Sequence, residues 1–163
     1  MLSFHNGQNS FDKAYADYSD MLYRIALTHL CSPEDAEDAV HDAFVKYIRS
    51  PISFADESHK RAWLIRVTVN RCKDMLRKRS IRDHLPLDEA YNIANNPESV
   101  DVVLLMSQLD EKYRLALTLH YLEGFSVDET AKILSLSVSA TKMRLMRARQ
   151  MLQQIIEKEN GNG

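Results

Sequence analysis

The segment SVDETAKILSLSVSATKMRLMRAR, residues 126–149, predicts two short helices joined by a tight turn. Ser126 is a suitable N-cap for the first helix, and Glu129 three residues later completes a capping box. Apolar and small residues at helical spacing give this helix one buried face: Val127, Thr130, Ala131, Ile133 and Leu134. The segment 135–137 interrupts the pattern, and Leu136 is placed to fill the space between the helices. These features predict a helix-turn-helix.

The second helix of the motif begins near Val138 and is amphipathic. Its expected inward positions are Val138, Thr141, Leu145 and Ala148. Its other faces carry Ser139, Lys142, Met143, Arg144, Met146, Arg147 and Arg149. Residues 130–152 contain five Lys or Arg and no Asp or Glu, which suits the DNA major groove. For this motif taken alone, the alternative is a solvated basic helix in an ordinary bundle.

The composition favours an all-α protein. Of 163 residues only four are Gly and four are Pro, and apolar and polar positions show no sustained alternation. No apolar run approaches the ~20 residues that cross a bilayer, and the N-terminus lacks a signal-peptide pattern. Cys31 and Cys72 have no CxxC partner and are expected to be small buried hydrophobes. We therefore expect a cytoplasmic protein.

Charge is unevenly distributed along the chain, although the net charge is only −2. Residues 1–60 carry ten acids against five bases, and residues 83–129 carry ten acids against two bases. Residues 61–82 carry eight bases and one acid, Asp74. Together with the basic helix-turn-helix, this pattern predicts two phosphate-contacting surfaces in an otherwise acidic chain.

Three helices are predicted in the first half, as a domain over residues 1–79. The first spans about 11–31, and the second begins at the N-cap Ser32, with Pro33 at its first position. The third spans about 60–79, after a loop over 50–59. The residues expected to pack inward are Phe11, Tyr15, Tyr18, Leu22, Ile25, Ala26, Leu30, Ala36, Ala39, Val40, Ala43, Phe44, Tyr47, Trp63, Leu64, Val67, Thr68, Met75 and Leu76.

Residues 80–98 are predicted to be a linker, because they contain Pro86 and an Asn-Asn-Pro turn and lack periodicity. A second domain is predicted over residues 99–163. In it, Ser99 would cap a helix over 100–108, and Asp110 would cap another over 111–123. Gly124 fits the C-cap of the latter helix, and the helix-turn-helix completes the domain. The predicted architecture is therefore two small helical domains joined by a linker.

Both halves resemble one family, the extracytoplasmic-function (group 4) sigma factors of bacterial RNA polymerase. In the first half, SPEDAEDAVHDAFVKYIR (32–49) resembles region 2.1–2.2, and KRAWLIRVTVNRCKDMLRKR (60–79) resembles region 2.3–2.4. In the second half, LDEKYRLALTLHYLEGFSVDETAKIL resembles region 4.1 and the start of 4.2, and VSATKMRLMRAR resembles the helix that recognises the promoter −35 element. The match covers nearly the whole chain, in the family's order and spacing.

The resemblance implies a promoter-specificity subunit that binds core polymerase and has no catalytic chemistry of its own. It implies docking on the polymerase β′ clamp helices through Glu34, Glu37, Asp38 and His41, and a further contact with the β flap. It implies contacts with the −10 element through Phe54, Arg66, Asn70, Lys73 and Arg77. At the −35 element it implies contacts through Ser139, Lys142, Met143, Arg144, Met146 and Arg147. It also implies an anti-sigma partner, membrane-anchored or not, and a role in an envelope or stress response.

Some departures from the family pattern matter. Where Gly-Thr-Val-Lys-Ser-Arg-Leu is frequent, this chain has SATKMRL at 139–145. Met143 stands where Ser is usual, which removes a hydrogen-bonding side chain and implies a different base preference. Ser135 stands where Gly is common in the turn, which predicts slight strain there. Asp110 replaces a frequent Pro and is expected to be harmless at a cap.

Two other classes of protein compete with this interpretation. A helix-turn-helix regulator with an N-terminal sensing or dimerisation domain would explain residues 126–149 but not the basic segment 60–79. For an enzyme, no Gly-rich phosphate loop and no Ser-His-Asp or Cys-His set stands out, and the candidate ligands of a metal site are Glu34, Glu37, Asp38 and His41. Such a site needs a second helix with a Glu-x-x-His motif, and the other histidines lack a Glu three residues before them. We therefore expect no catalytic residue, metal site, cofactor or small-molecule substrate.

Overall fold

The computed structural model describes residues 2–79 and 97–161, without the side chains of residues 2–6, 8 and 97–100. Over these residues it contains seven α-helices and no strand, which confirms the all-α prediction. The helices are α1 Leu2–Leu30, α2 Pro33–Arg49, α3 Glu57–Arg79, α4 Pro97–Ser107, α5 Glu111–Leu117, α6 Val127–Leu134 and α7 Val138–Gly161. A π-helical turn, Thr118–Leu122, continues α5.

The first half is a bundle of α1, α2 and α3 around fully buried aliphatic side chains. Its core includes Leu22, Ile25, Leu64, Ile65 and Val69. The hydroxyl of Ser32 accepts a hydrogen bond from the Asp35 amide at 3.3 Å, which confirms the predicted cap of α2. The third helix begins three residues earlier than predicted, because the Asp56 carboxylate accepts from the His59 amide at 2.7 Å.

The second half packs α4, α5 and α6 against α7. The side chains of Tyr113, Leu115 and Leu119 are buried in this core with Leu145 and Ala148 of α7. Gly124 ends the π-helical turn with a φ of +78°, a conformation that glycine adopts without steric cost. The C-cap itself is Glu123, so the predicted glycine stop is present but lies one position later, at C′.

Several sequence predictions were wrong in detail. Val138 and Tyr15 were expected to be buried, yet 39% and 51% of their surfaces are exposed. Ser99 does not cap α4, because that helix already begins at Pro97. Asp110 occupies the N-cap of α5, but its side chain makes no capping hydrogen bond. The first helix begins at Leu2 rather than near residue 11, because no proline interrupts the chain there.

The predicted linker lies almost entirely outside the described residues, since residues 80–96 are not described.

The sequence pattern missed two buried residues of α3, Ile65 and Val69. Cys72 is fully buried, as expected, and burial raises the pKa of its thiol to about 12. Cys31 is only partly buried and has a positive φ of 54°, because it follows directly on the last residue of α1.

The two halves pack on each other through a polar junction that the sequence did not predict. The Arg114 guanidinium of α5 is buried and donates to the His29 carbonyl of α1 at 2.5 Å and to the Leu109 carbonyl at 2.9 Å. The His29 ring is fully buried, and its Nε2 lies 3.1 Å from a carboxylate oxygen of Glu111.

Further contacts extend this junction along the two halves. Arg24 donates from two nitrogens to the two carboxylate oxygens of Glu123, both at 3.0 Å. On α3, the Arg61 guanidinium lies 5.0 Å from the centroid of the Phe125 ring and 3.7 Å from the Glu129 carboxylate. The first and second halves are therefore held together by cations of the first half and acids of the second, around the buried Arg114.

The junction predicts a loss of stability in mild acid. Burial lowers the pKa of His29 below its ordinary 6.5, so the unfolded chain takes up the proton first as the pH falls. The His29 hydrogen bond lowers the pKa of Glu111 below 4.5, so the contribution of Glu111 is lost only at lower pH. We expect the free energy of unfolding to be highest above about pH 6.5 and to decline below it.

Urea unfolding between pH 7.5 and 5 measures this decline. In His29→Gln the slope should flatten, whereas His41→Gln, at an exposed histidine of α2, should keep the slope of the native chain. An unchanged slope in His29→Gln would show that the acid sensitivity arises elsewhere.

The turn of the helix-turn-helix predicts a stabilising substitution. Ser135 ends α6 in the left-handed conformation, with φ 56° and ψ 43°, which is costly for a residue with a Cβ. Ser135→Gly should therefore raise the free energy of unfolding by roughly 0.5–1 kcal/mol after the extra entropy of the unfolded chain is counted. Gln150→Gly, at an exposed position in the interior of α7, should lower it by about the same amount. Urea unfolding of both variants measures the two changes in the free energy of unfolding. If both variants are stabilised, or both are destabilised, the left-handed conformation of Ser135 is not the cause of the effect.

Candidate nucleic-acid interface

The helix-turn-helix of α6 and α7 is positioned by two caps and a buried seam. The Ser126 hydroxyl accepts from the Glu129 amide at 3.1 Å, and the Ser137 hydroxyl accepts from the Ala140 amide at 3.1 Å. These bonds fix the starts of α6 and α7. In α7, the buried residues are Thr141, Leu145 and Ala148. Because this seam faces the core of the second half, the opposite face of α7 is turned towards solvent.

Five of the six predicted −35 residues are exposed on α7: Ser139, Lys142, Met143, Met146 and Arg147. Arg144, the sixth, is half-buried at the edge of the seam. Arg149 is held within the second half, since it donates to the Tyr121 hydroxyl at 2.6 Å and its guanidinium lies 5.9 Å from that ring's centroid. The structure thus brings the predicted −35 residues together on one cationic surface.

A second cationic surface lies on α3. Arg66, Asn70, Lys73 and Arg77 are exposed at intervals of four, three and four residues, as the sequence predicted. Arg77 forms an ion pair with Asp74 one turn earlier on the same helix. Asn70, Lys73 and Arg77 line an open groove whose far side is formed by Glu111 of α5. Arg66 lies nearer the second half, with one nitrogen 3.5 Å from the Lys132 carbonyl oxygen.

Other bases of the segment 61–82 have structural roles that its composition did not reveal. Arg71 donates to the Asp42 carboxylate of α2 at 2.6 Å. Arg79 pairs with Asp35 and donates to the Leu30 carbonyl at 2.8 Å, where it satisfies the C-terminus of α1. Part of the basic segment therefore holds the first half together rather than facing outward.

The loop before α3 carries Phe54 in an aromatic cluster. Its ring is nearly parallel to that of Tyr47, with centroids 6.0 Å apart and 14° between the planes. The Trp63 ring meets Phe54 edge-on, with centroids 5.5 Å apart. Both Phe54 and Trp63 are half-buried, so Trp63 is part of the packing, as expected. The neighbouring Ile52 is 44% exposed at the loop surface.

The acidic face of α2 is fully presented to solvent. Glu34, Glu37, Asp38 and His41 are all exposed, whereas Asp35 and Asp42 on its flanks are paired with arginines of α3. Beside this face lies an open groove between α1 and α2, lined by Glu37, Asp38 and His41 and by the apolar side chains of Tyr15, Tyr23, Phe44 and Ile48. Sequence reasoning missed this groove because it assigned Tyr15 to the core.

A metal-binding cluster is not found among residues 2–79 and 97–161. In this part of the chain, no group of three or more His, Cys, Asp or Glu side chains could hold a metal ion. Within the same described ranges, every helix is too short or too polar to cross a membrane. The surfaces that stand out are therefore the two cationic helices and the acidic face.

Family models match both halves of the chain: sigma-70 region 2 over residues 14–81 and sigma-70 region 4 over residues 99–152. The ECF RNA polymerase sigma factor SigM of Bacillus subtilis is 33% identical over 153 residues, which cover 88% of this chain and 93% of that protein.

Two solved structures have similar folds. Sigma factor RpoE of Bartonella quintana, in complex with the anti-sigma factor NepR, has a TM-score of 0.74 at 23% identity, over 91% of this chain and 97% of that chain. CnrH, in complex with the cytosolic domain of CnrY, has a TM-score of 0.73 at 27% identity, over 93% of this chain and 90% of that chain. CnrH from Cupriavidus metallidurans is also similar in sequence, at 28% identity over 94% of this chain. With both sigma-70 regions matched in order and a 33% identical relative matched over nearly its whole length, the chain belongs to the ECF RNA polymerase sigma factors of the sigma-70 family.

Proposed function

We propose that this ECF sigma factor directs bacterial core RNA polymerase to promoters through three separate surfaces. The observation that carries the proposal is the presence of two exposed cationic helix faces, on α3 and α7, in one chain of this family. A helix-turn-helix regulator would need only the face on α7. Sigma factors are initiation factors without catalytic chemistry, so the chain is not an enzyme. We assign residues 1–79 and 99–163 to the two functional domains and 80–98 to the linker.

The face on α3 is proposed to bind the −10 element. Arg66, Lys73 and Arg77 would contact phosphates, which gives affinity without sequence information. Asn70 lies between them and carries both a donor and an acceptor, so it can bond to a base edge. The Phe54 loop lies near the start of α3, and an aromatic cluster with an exposed Ile52 offers an apolar surface to an unstacked base of the opened strand.

The face on α7 is proposed to enter the major groove of the −35 element. Lys142 and Arg147 are exposed and can donate to guanine or to nearby phosphates. Ser139 lies at the N-terminal end of the helix, where recognition helices contact bases. Arg144 is half-buried and would reach a phosphate at the edge of the groove.

The acidic face of α2 is proposed to dock on the β′ clamp helices of core polymerase. Glu34, Glu37, Asp38 and His41 are exposed, and the acids among them attract a basic partner. The adjoining groove with Tyr15 and Ile48, which are 51% and 62% exposed, adds apolar area to the same surface. The second half would contact the β flap. Since core polymerase acts in the cytoplasm, we assign the chain to that compartment.

We further propose that an anti-sigma factor, membrane-anchored or not, restrains this chain. The support is the neighbour CnrH, which was solved with the cytosolic domain of CnrY. No cofactor or small-molecule substrate forms part of the proposal, and an envelope or stress response is the setting that the family suggests.

Charge reversal tests the polymerase surface. Asp38→Lys combined with Glu37→Lys should weaken binding to core polymerase at least tenfold, because two attractive contacts become repulsive. Fluorescence anisotropy of the labelled chain against core polymerase measures the change. Glu157→Lys combined with Glu159→Lys, on the exposed end of α7, makes the same charge change elsewhere and should leave binding nearly unaltered. Equal losses in both double variants would indicate a general charge effect.

Run-off transcription tests the promoter surfaces. With core polymerase and a library of promoter fragments, the chain should yield defined transcripts that vanish without it. Asn70→Ala and Arg147→Ala should each reduce these transcripts about tenfold, the loss expected for one specific contact of ~1–3 kcal/mol. Lys158→Ala, at an exposed cation near the end of α7, should have no effect. Tight binding of the chain alone to duplex DNA, with no stimulation of the polymerase, would instead support a regulator.

A further inference from the structure

Two exposed methionines lie at the centre of the outward face of α7, between Ser139 and Gln150, although the helix as a whole is basic. At about 100° per residue, Ser139, Met143, Met146 and Gln150 point away from the buried seam. Met143 and Met146 are 46% and 38% exposed. The cations flank this strip, with Lys142 on one side and Arg147 on the other.

In the DNA major groove, a methionine thioether recognises different groups on the base edges from those that a lysine amine or an arginine guanidinium recognises. A methionine side chain has no hydrogen to donate and only a weakly accepting sulfur. In the major groove, the donors and acceptors of guanine, cytosine and adenine find no partner in such a side chain. The C5-methyl group of thymine is the apolar feature of that groove. Two exposed methionines at the centre of the face therefore favour thymine.

The cations beside Met143 and Met146 favour DNA as the partner of this strip. An exposed pair of methionines could equally cover an apolar surface of another protein. However, residues 130–152 contain five Lys or Arg and no acid, and Lys142 and Arg147 stand on opposite sides of the pair. Duplex DNA matches this arrangement, because its two phosphate backbones can pair with the cations while an apolar group on a base faces the methionines. An apolar protein surface would leave the cations without partners.

We propose that Met143 and Met146 determine −35 specificity by contacting the C5-methyl groups of thymines. The proposal rests on the proposed function, in which α7 enters the −35 major groove. Residues three apart on a helix have Cβ atoms ~5–6 Å apart, and successive bases rise ~3.4 Å along a strand. The two methionines therefore read thymines at neighbouring or next-neighbouring base pairs. Lys142 and Arg147 anchor the flanking backbone or bases.

Replacing thymine by deoxyuridine tests this inference, because it removes the methyl group and keeps every base-pairing group. The holoenzyme of core polymerase with the full chain first selects a −35 element from promoter fragments randomised in that region. Each thymine of the selected element is then replaced singly by deoxyuridine, and the affinity of the holoenzyme for each duplex is measured. At one or two positions the affinity should fall about threefold to fivefold, the value for losing one buried methyl group.

The variants assign each methyl group to a side chain. Met143→Ser should abolish the effect of deoxyuridine at one position and leave the other, and Met146→Ser should do the converse. Met151→Ser changes an equally exposed methionine on the side of the same helix, and it should keep both effects. All three side chains are on the surface, so the variants should fold, which the midpoint of thermal unfolding checks.

The outcomes separate this inference from the proposed function. If deoxyuridine is neutral at every thymine, or if both methionine variants keep its effect, the methyl-reading proposal is wrong while promoter-directed initiation stands. If the chain supports no initiation from any fragment, the proposed function fails and the inference fails with it.

Discussion

The buried Arg114 guanidinium is the constraint on which the arrangement of the two halves depends. It donates to one carbonyl of α1 and to one carbonyl that precedes α5, and burial makes each unpaired polar group costly. The Leu109 carbonyl belongs to the second half, and the His29 carbonyl lies in the last turn of α1. One side chain therefore satisfies polar groups of both halves. Of the ion pairs around it, the Arg61–Glu129 pair is exposed at both ends and contributes little, whereas the side chains of Glu123 and His29 are buried in their pairs with Arg24 and Glu111.

The junction also explains how the three proposed surfaces are distributed. Contacts between the halves use α1, the beginning of α3 and the acids of α5 and α6. The exposed face of α7 and the acidic face of α2 stay outside this contact. The face on α3 is adjacent to it, since Glu111 forms the far side of the groove that contains Asn70. Hence the proposed −35 surface is exposed in this arrangement, while the proposed −10 surface is bordered by the second half.

Much of the fold could be predicted from local signals. Ser126 and Ser32 accept the predicted capping hydrogen bonds, and Gly124 ends its helix, because capping depends only on neighbouring backbone groups. The burial of side chains at the border between core and surface was harder to predict, because it depends on what packs beside them. Val138 and Tyr15 are apolar residues of this kind, and both are exposed.

The junction itself could not be predicted, because its partners are far apart in the chain. No sequence spacing indicates that Arg24 contacts Glu123, or that Arg114 contacts His29. The one local signal is that Arg114 stands in the otherwise apolar run 113–119, where a charged group must find buried partners. Likewise, the roles of Arg71 and Arg79 within the first half were hidden in a segment that looked uniformly basic. For the candidate site, the sequence could predict which face of each helix is exposed, but not which arginines the fold already uses.

The contacts at the beginning of α3 make the second half an intramolecular ligand of the first. Arg61 and Arg66 already meet the Glu129 carboxylate and the Lys132 carbonyl, oxygen acceptors of the same kind as those of a phosphate. Because both partners belong to one chain, this competition has a fixed effective concentration that does not change when the protein is diluted. In the proposed function, the apparent affinity of this end of α3 for DNA is its intrinsic affinity multiplied by the fraction of molecules in which the contact is broken. The strength of the junction is thus a thermodynamic parameter of the proposed DNA binding, set in part by Glu129 and Lys132, which lie outside the proposed DNA-binding faces.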